Sequence, residues 1–80
     1  MHTSVNGLNR ILRRIKFNPI GDFSDLTVEE DFVLRAFTYL VERRMIISEE
    51  SIRRFINSKG GEIDIRRTIG FLMGKGILRA

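Results

Sequence analysis

Residues 28–44 are apolar on most sides of a helix, and that property constrains the rest of the chain more than any other. Val33, Ala36, Phe37 and Leu40 form one stripe at helical spacing, while Phe32, Leu34, Tyr39 and Val41 widen it beyond a single face. Such a helix must be covered on several sides, so the remaining elements have to wrap around it. Thr27-Val28-Glu29-Glu30 marks its start as a capping box. The Thr27 hydroxyl is placed to accept from the N–H of Glu30, and the Glu30 carboxylate to reach back to the N–H of Thr27. Glu29, Glu30 and Asp31 suit the positive end of the helix dipole, and Arg43 and Arg44 the negative end.

Shorter elements flank this helix. Leu8, Ile11, Leu12 and Ile15 recur at i, i+3, i+4 and i+7, which predicts an amphipathic helix over 7–16 with Arg10, Arg13, Arg14 and Lys16 on its other faces. Asn18-Pro19 ends it, because the residue before proline is pushed out of the α region. Residues 17–26 then read as a linker whose Phe17, Ile20, Phe23 and Leu26 pack down. Met45-Ile46-Ile47 is too short for a helix and β-prone, which predicts a short strand. Ser48 caps a helix of about 49–58, with Glu49 and Glu50 in its first turn and Ile52, Phe55 and Ile56 inward. Gly60-Gly61 stops it. A last helix runs from Ile63 or Asp64 to about Lys75, burying Ile65, Ile69, Leu72 and Met73, and Ile77-Leu78 opens a second strand.

The chain has 80 residues and no cysteine, so neither a disulfide framework nor a thiolate zinc site is available. A chain of this length buries only about 60% of the surface its unfolded form exposes. One domain over residues 1–80 with a compact helical core is therefore expected, or else a second copy adds to the burial. No apolar run precedes a small-residue cleavage site, and no stretch approaches the ~20 apolar residues of a membrane span. The expectation is an intracellular protein without membrane contact, placed in the cytoplasm or nucleoid, or in the nucleus of a eukaryote.

Net charge is +4 and unevenly spread. Residues 1–20 hold Arg10, Arg13, Arg14 and Lys16 and no acid; residues 21–31 hold Asp22, Asp25, Glu29, Glu30 and Asp31 and no base. Bases again outnumber acids over 32–80, and most bases are arginine. Arginine makes bidentate contacts to phosphate and to guanine, which suits nucleic acid, although surface ion pairing uses the same residues.

The ending Leu72-Met73-Gly74-Lys75-Gly76-Ile77-Leu78 resembles that of winged helix-turn-helix domains, and the likeness covers residues 27–78. Many of them close the recognition helix with a leucine, three variable residues, a glycine and two aliphatics that enter the wing. The leucine anchors the helix, the glycine takes the positive φ that reverses the chain, and the aliphatics start a strand. The resemblance implies a mainly α fold: a winged-helix-like three-helix core, an extra N-terminal amphipathic helix, and minimal β with strands near 45–47 and 77–79 paired. Two departures stand out. The sequence ends two residues after Leu78, which truncates the wing, and Gly60-Gly61 follows a rather long helix, which loosens the helix-turn-helix turn.

In that likeness the outer side of the 63–75 helix enters the major groove. With Ile65, Ile69 and Leu72 inward, this side is Arg67, Gly70, Phe71 and Gly74, with Arg66 on the flank. Arg66 and Arg67 suit guanine edges or phosphates; Gly70 lets a partner approach the backbone; Phe71 suits a thymine methyl or a protein interface. Arg53 and Arg54 on the preceding helix are candidates for phosphate contact, with Lys59, Lys75 and Arg79 on the same logic. Solvated faces account for these cations equally well. Arg10, Arg13 and Arg14 are further candidates for DNA contact, while Leu8, Ile11, Leu12 and Ile15 pack on the domain or form a dimer or partner interface.

Catalysis finds no support: no nucleophile stands beside a base, and the only histidine, His2, is terminal. Gly74-Lys75-Gly76 lacks the spacing and the following Ser/Thr of a phosphate-binding loop. Metal-ligand spacing is missing too, so no metal, cofactor or small-molecule substrate is expected. The expected function is DNA binding by a non-enzymatic transcriptional or genome-handling factor, with a homodimer as one assembly. The alternative is a protein-interaction module that uses Phe71 and the glycine face without DNA readout. RNA binding is weaker, because the clustered aromatics of single-strand platforms are missing.

Overall fold

The structure is a computed structural model that describes residues 7–80; His2 lies outside them. It is mainly helical, with a two-stranded antiparallel sheet. In chain order the elements are α1 (Gly7–Leu12), β1 (Lys16–Phe17), α2 (Val28–Glu42), α3 (Glu49–Ser58), α4 (Ile65–Gly74) and β2 (Leu78–Arg79). The central helix is α2, which packs against both α3 and α4. Its Val33, Ala36, Phe37 and Leu40 are buried together with Ile52 and Ile56 of α3 and Ile65, Ile69 and Leu72 of α4. Covering a helix that is apolar on several sides is what the composition of 28–44 demanded.

Each main helix begins at a side chain that satisfies its free amides. At Thr27, the hydroxyl accepts from Glu30 N at 3.1 Å while Thr27 N donates to Glu30 Oε1 at 2.8 Å. Ser48 caps α3 with Ser51 as its reciprocal partner, a serine version of the capping box that the sequence pattern for Glu or Gln does not detect. Asp64 accepts from Arg67 N at 3.1 Å and starts α4. At the other end of α4, Gly76 sits at φ 72° and Ile77 N donates to Leu72 O at 3.0 Å. The left-handed glycine thus reverses the chain where the leucine-to-glycine ending predicted it would.

Several expectations are corrected. Of the linker side chains expected to pack down, only Leu26 packs against the core, while Phe17, Ile20 and Phe23 are exposed. Residues 45–47 form no strand. Arg44 takes φ 56°, Met45 N donates to Leu40 O, and Ile46 O accepts from Ser51 Oγ, so this short connection is consumed in closing α2 and opening α3. The strand that pairs with β2 is β1, in register Lys16↔Arg79 and Phe17↔Leu78. Asn18 extends this pairing: its N–H donates to Ile77 O and its Nδ2 to Gly76 O, both at 2.7 Å. The helix expected over 7–16 accordingly stops at Leu12, turns through Arg13 and Arg14, and becomes extended at Lys16.

The apolar side of α1 faces the chain's own core. Leu8, Leu12 and Ile15 are buried, which corrects their assignment to a dimer or partner interface; Ile11 alone is exposed, at 42%. α1 also packs on α3, where Asn9 Oδ1 accepts from Glu49 N at 2.8 Å.

Candidate functional site

Helix α4 divides its residues between two sides. Ile65, Thr68, Ile69 and Leu72 are buried; Arg66, Arg67, Gly70, Phe71 and Gly74 are exposed. At 3.6 residues per turn the exposed five share one side. A Cβ placed on Gly70 or Gly74 would meet nothing within 4 Å beyond its own helical turn, so neither glycine serves close packing inside the chain. Phe71 is half exposed, with the Arg67 guanidinium 5.3 Å from its ring centroid. The cation thus sits over part of a half-exposed aromatic ring.

The surroundings of these arginines are not uniformly basic. Arg67 and Phe71 border a groove to which Glu29, Glu62 and Asp64 also contribute. Asp64 is engaged as the helix cap, which directs part of its charge at the backbone. On α3, Arg53 pairs with Glu49 and Arg54 with Glu50, both at 2.7 Å and four residues apart. Such solvent-exposed pairs are worth little and exchange readily for another anion. Arg54 belongs to a groove between α2 and α3 with Tyr39, Met45 and Phe55, which shares no residue with the Arg67 groove. Lys59 lies 5.5 Å from the Phe55 ring centroid in the same α2–α3 groove.

Lys75 is corrected outright. Its Nζ donates to Glu30 Oε1 at 2.6 Å and to the Asp25 carbonyl, so it is an internal partner of a buried carboxylate and not a free contact for phosphate. Burial pushes the Glu30 carboxyl toward its neutral form, yet the Lys75 bond and the Thr27 N–H outweigh this and hold it below the ordinary glutamate value. Hydrogen bonds from the Ser24 hydroxyl and N–H likewise lower Asp22.

Arg10, Arg13 and Arg14 are exposed, and none of them has a carboxylate partner among the described residues. They lie just before a feature that the sequence did not reveal, the opposed cations Lys16 and Arg79 on the two strands. Only the register of the sheet brings these two together, and no local pattern announces it.

Among the described residues, no group of three or more His, Cys, Asp or Glu is placed to hold a metal ion. No helix among them is long and apolar enough to cross a membrane. No protein-family model, curated protein or solved structure matches the chain.

Proposed function

We propose that this chain is a non-enzymatic protein that binds double-stranded DNA through the outer side of α4. In this reading α2, α3, α4 and β2 form a winged-helix-like core, and the protein acts as a transcriptional or genome-handling factor. The observation that carries the reading is the uncovered side of α4, where Arg66 and Arg67 stand at the start of a helix whose Gly70 and Gly74 are open to close approach. Gly70, inside the helix, costs roughly 1 kcal/mol in propensity relative to alanine, and nothing in the chain's own packing requires it or Gly74 at the helix end. A partner lying against the helix supplies the missing reason. The arginine fork matches phosphate and guanine geometry.

The strand order adds a further departure from the family the chain resembles: the partner of the last strand precedes the central helix instead of following it. The proposed contact does not depend on that strand order, because α4 is positioned by its own buried side against α2.

A gel shift with mixed-sequence duplex at two salt concentrations tests the reading, comparing the wild type with Arg66→Ala/Arg67→Ala. Binding that falls steeply with salt, and that the double variant weakens, is the expected result. Unchanged binding by the double variant removes α4 from the interface.

A specific observation favours a second reading, a protein-interaction module. Phe71 is half exposed, and the Tyr39 and Phe55 rings, 5.1 Å apart and tilted by 46°, line an open groove between α2 and α3. This reading expects no duplex binding at moderate salt and a stable complex with another protein.

A further inference from the structure

We infer that the seam between α2 and α3 docks an acidic segment of a protein partner, one that carries apolar anchor side chains between its carboxylates. The inference goes beyond the DNA reading, because no residue of α4 lines this seam, and it gives the groove of the interaction reading a partner class. Three open grooves of about 590, 290 and 520 Å³ adjoin there. The first two meet at Tyr39, Phe55 and Lys59, and the last two at Met45, Ser51 and Arg54. Together they make one trough along the two helices, a shape that receives a row of side chains.

The floor of the trough is apolar. Tyr39 and Phe55 set their rings 5.1 Å apart, and Leu40, Met45 and Ile46 continue the surface, with Ile46 76% exposed. A contiguous apolar strip on a surface is the kind that a partner covers. The hydroxyls in the trough are engaged within the chain: Ser51 Oγ donates to Ile46 O and Ser58 Oγ to Phe55 O. Polar recognition therefore falls to the charged rim.

That rim is cationic. Arg43 lies 4.7 Å from the Tyr39 ring centroid and Lys59 5.5 Å from that of Phe55, so each ring of the pair has a cation beside it. Arg43, Arg44 and Lys59 pair with no carboxylate among the described residues. Arg54 pairs with Glu50 in the exposed manner that another carboxylate displaces at little cost. Glu42 and Glu50 are the only acids lining the three grooves, one in each outer groove, and the middle groove has none. The negative end of α2 accounts for a cation at 43 or 44, but not for arginine at 44 itself. Arg44 takes φ 56°, a left-handed position that glycine or asparagine fills with less strain. An apolar floor between unpaired cations is the complement of carboxylates that flank an apolar anchor. Single-stranded nucleic acid is the competing polyanion. Its bases stack on open ring faces, whereas these two rings are tilted by 46° and each adjoins a cation.

The test is a phage-displayed library of short peptides, with acids flanking randomised apolar positions, selected on the immobilised wild-type chain. Enriched peptides are titrated by fluorescence anisotropy against the wild type, Tyr39→Ala, Arg44→Asn/Lys59→Gln and Arg66→Ala/Arg67→Ala. Asparagine tolerates the left-handed backbone, so the melting temperature of the Arg44→Asn/Lys59→Gln variant is expected to hold, and that variant decides the matter if Tyr39→Ala lowers stability. The expected result is a loss of at least roughly tenfold in affinity with both of these variants and none with the α4 variant. The inference is overturned if the acidic library enriches no better than one with asparagine and glutamine in place of the acids. Equal affinity for the wild type and the Arg44→Asn/Lys59→Gln variant overturns it too. So does an oligothymidylate probe that binds the wild type more tightly than every enriched peptide and weakens with the same two variants. Duplex gel shifts on the same proteins keep the readings apart, because the DNA reading fails on an unresponsive α4 variant whatever the peptides do.

Discussion

Lys75 Nζ stands 2.6 Å from Glu30 Oε1, so the residue that closes α4 is tied to the residue that opens α2. The same carboxylate oxygen accepts from Thr27 N, and the same ammonium donates to Asp25 O. One buried acid thus joins the start of the central helix, the loop before it and the end of the last helix. The turn at Gly76 that leads into β2 follows directly from this junction.

Removing either partner leaves the other without compensation in a place where water scarcely reaches. Lys75→Met is expected to lower stability by about 3 kcal/mol, near the lower end of the range for breaking a buried pair because the lysine is partly exposed. Urea denaturation at neutral pH measures it. A loss below about 1 kcal/mol, typical of a surface pair, disproves the structural role.

The same pair sets a pH dependence. Glu30 is held below its ordinary value in the folded chain, so its contribution is fully present above the unfolded-state value. It is lost as pH falls through the lowered folded value. Thermal melts of the wild type are therefore expected to drop across the acidic carboxylate range, and Glu30→Gln to flatten that part of the profile while starting from lower stability at pH 7. Equal slopes in the two proteins contradict the assignment.

Two glycines give opposite outcomes on substitution. A Cβ on Gly21 would come within 2.7 Å of Gly76 O and Ile77 Cα, both backbone atoms, so Gly21→Ala must push the loop off the α4 turn. A loss of roughly 2 kcal/mol or more is expected from such overpacking. Gly70→Ala meets open space inside a helix and is expected to raise stability by about 0.5–1 kcal/mol. Under the DNA reading it also weakens duplex binding, because the added methyl stands where the partner approaches. Paired melts and gel shifts separate the two effects.

Burial ranks the residues of α1. Leu12→Ala empties a fully enclosed site and is expected to cost about 2–4 kcal/mol, whereas Ile11→Ala on the exposed side should cost under about 1 kcal/mol. Denaturation at two protein concentrations makes the comparison. A strong concentration dependence of the Leu12 effect would return that residue to an interface between copies.

Patterns that act within a few residues were legible in the chain itself. Thr27 and Glu30, Ser48 before two acids, and Leu72 followed by Gly76 placed three helix ends, because caps and left-handed glycines are local chemistry. The buried side of α4 followed from the spacing of Ile65, Ile69 and Leu72 for the same reason. The strand pairing did not, because β-prone residues occur at both 16–17 and 45–47 and only long-range geometry chooses between them. That choice went to Lys16–Phe17, since the backbone of 45–46 closes and opens helices while Asn18 is free to bond Gly76 and Ile77. Tertiary structure likewise decided the fate of the cations. Lys75 was drawn inward by a buried carboxylate, and Lys16 was set against Arg79 by register, outcomes of contacts between residues far apart in the chain that no local spacing records.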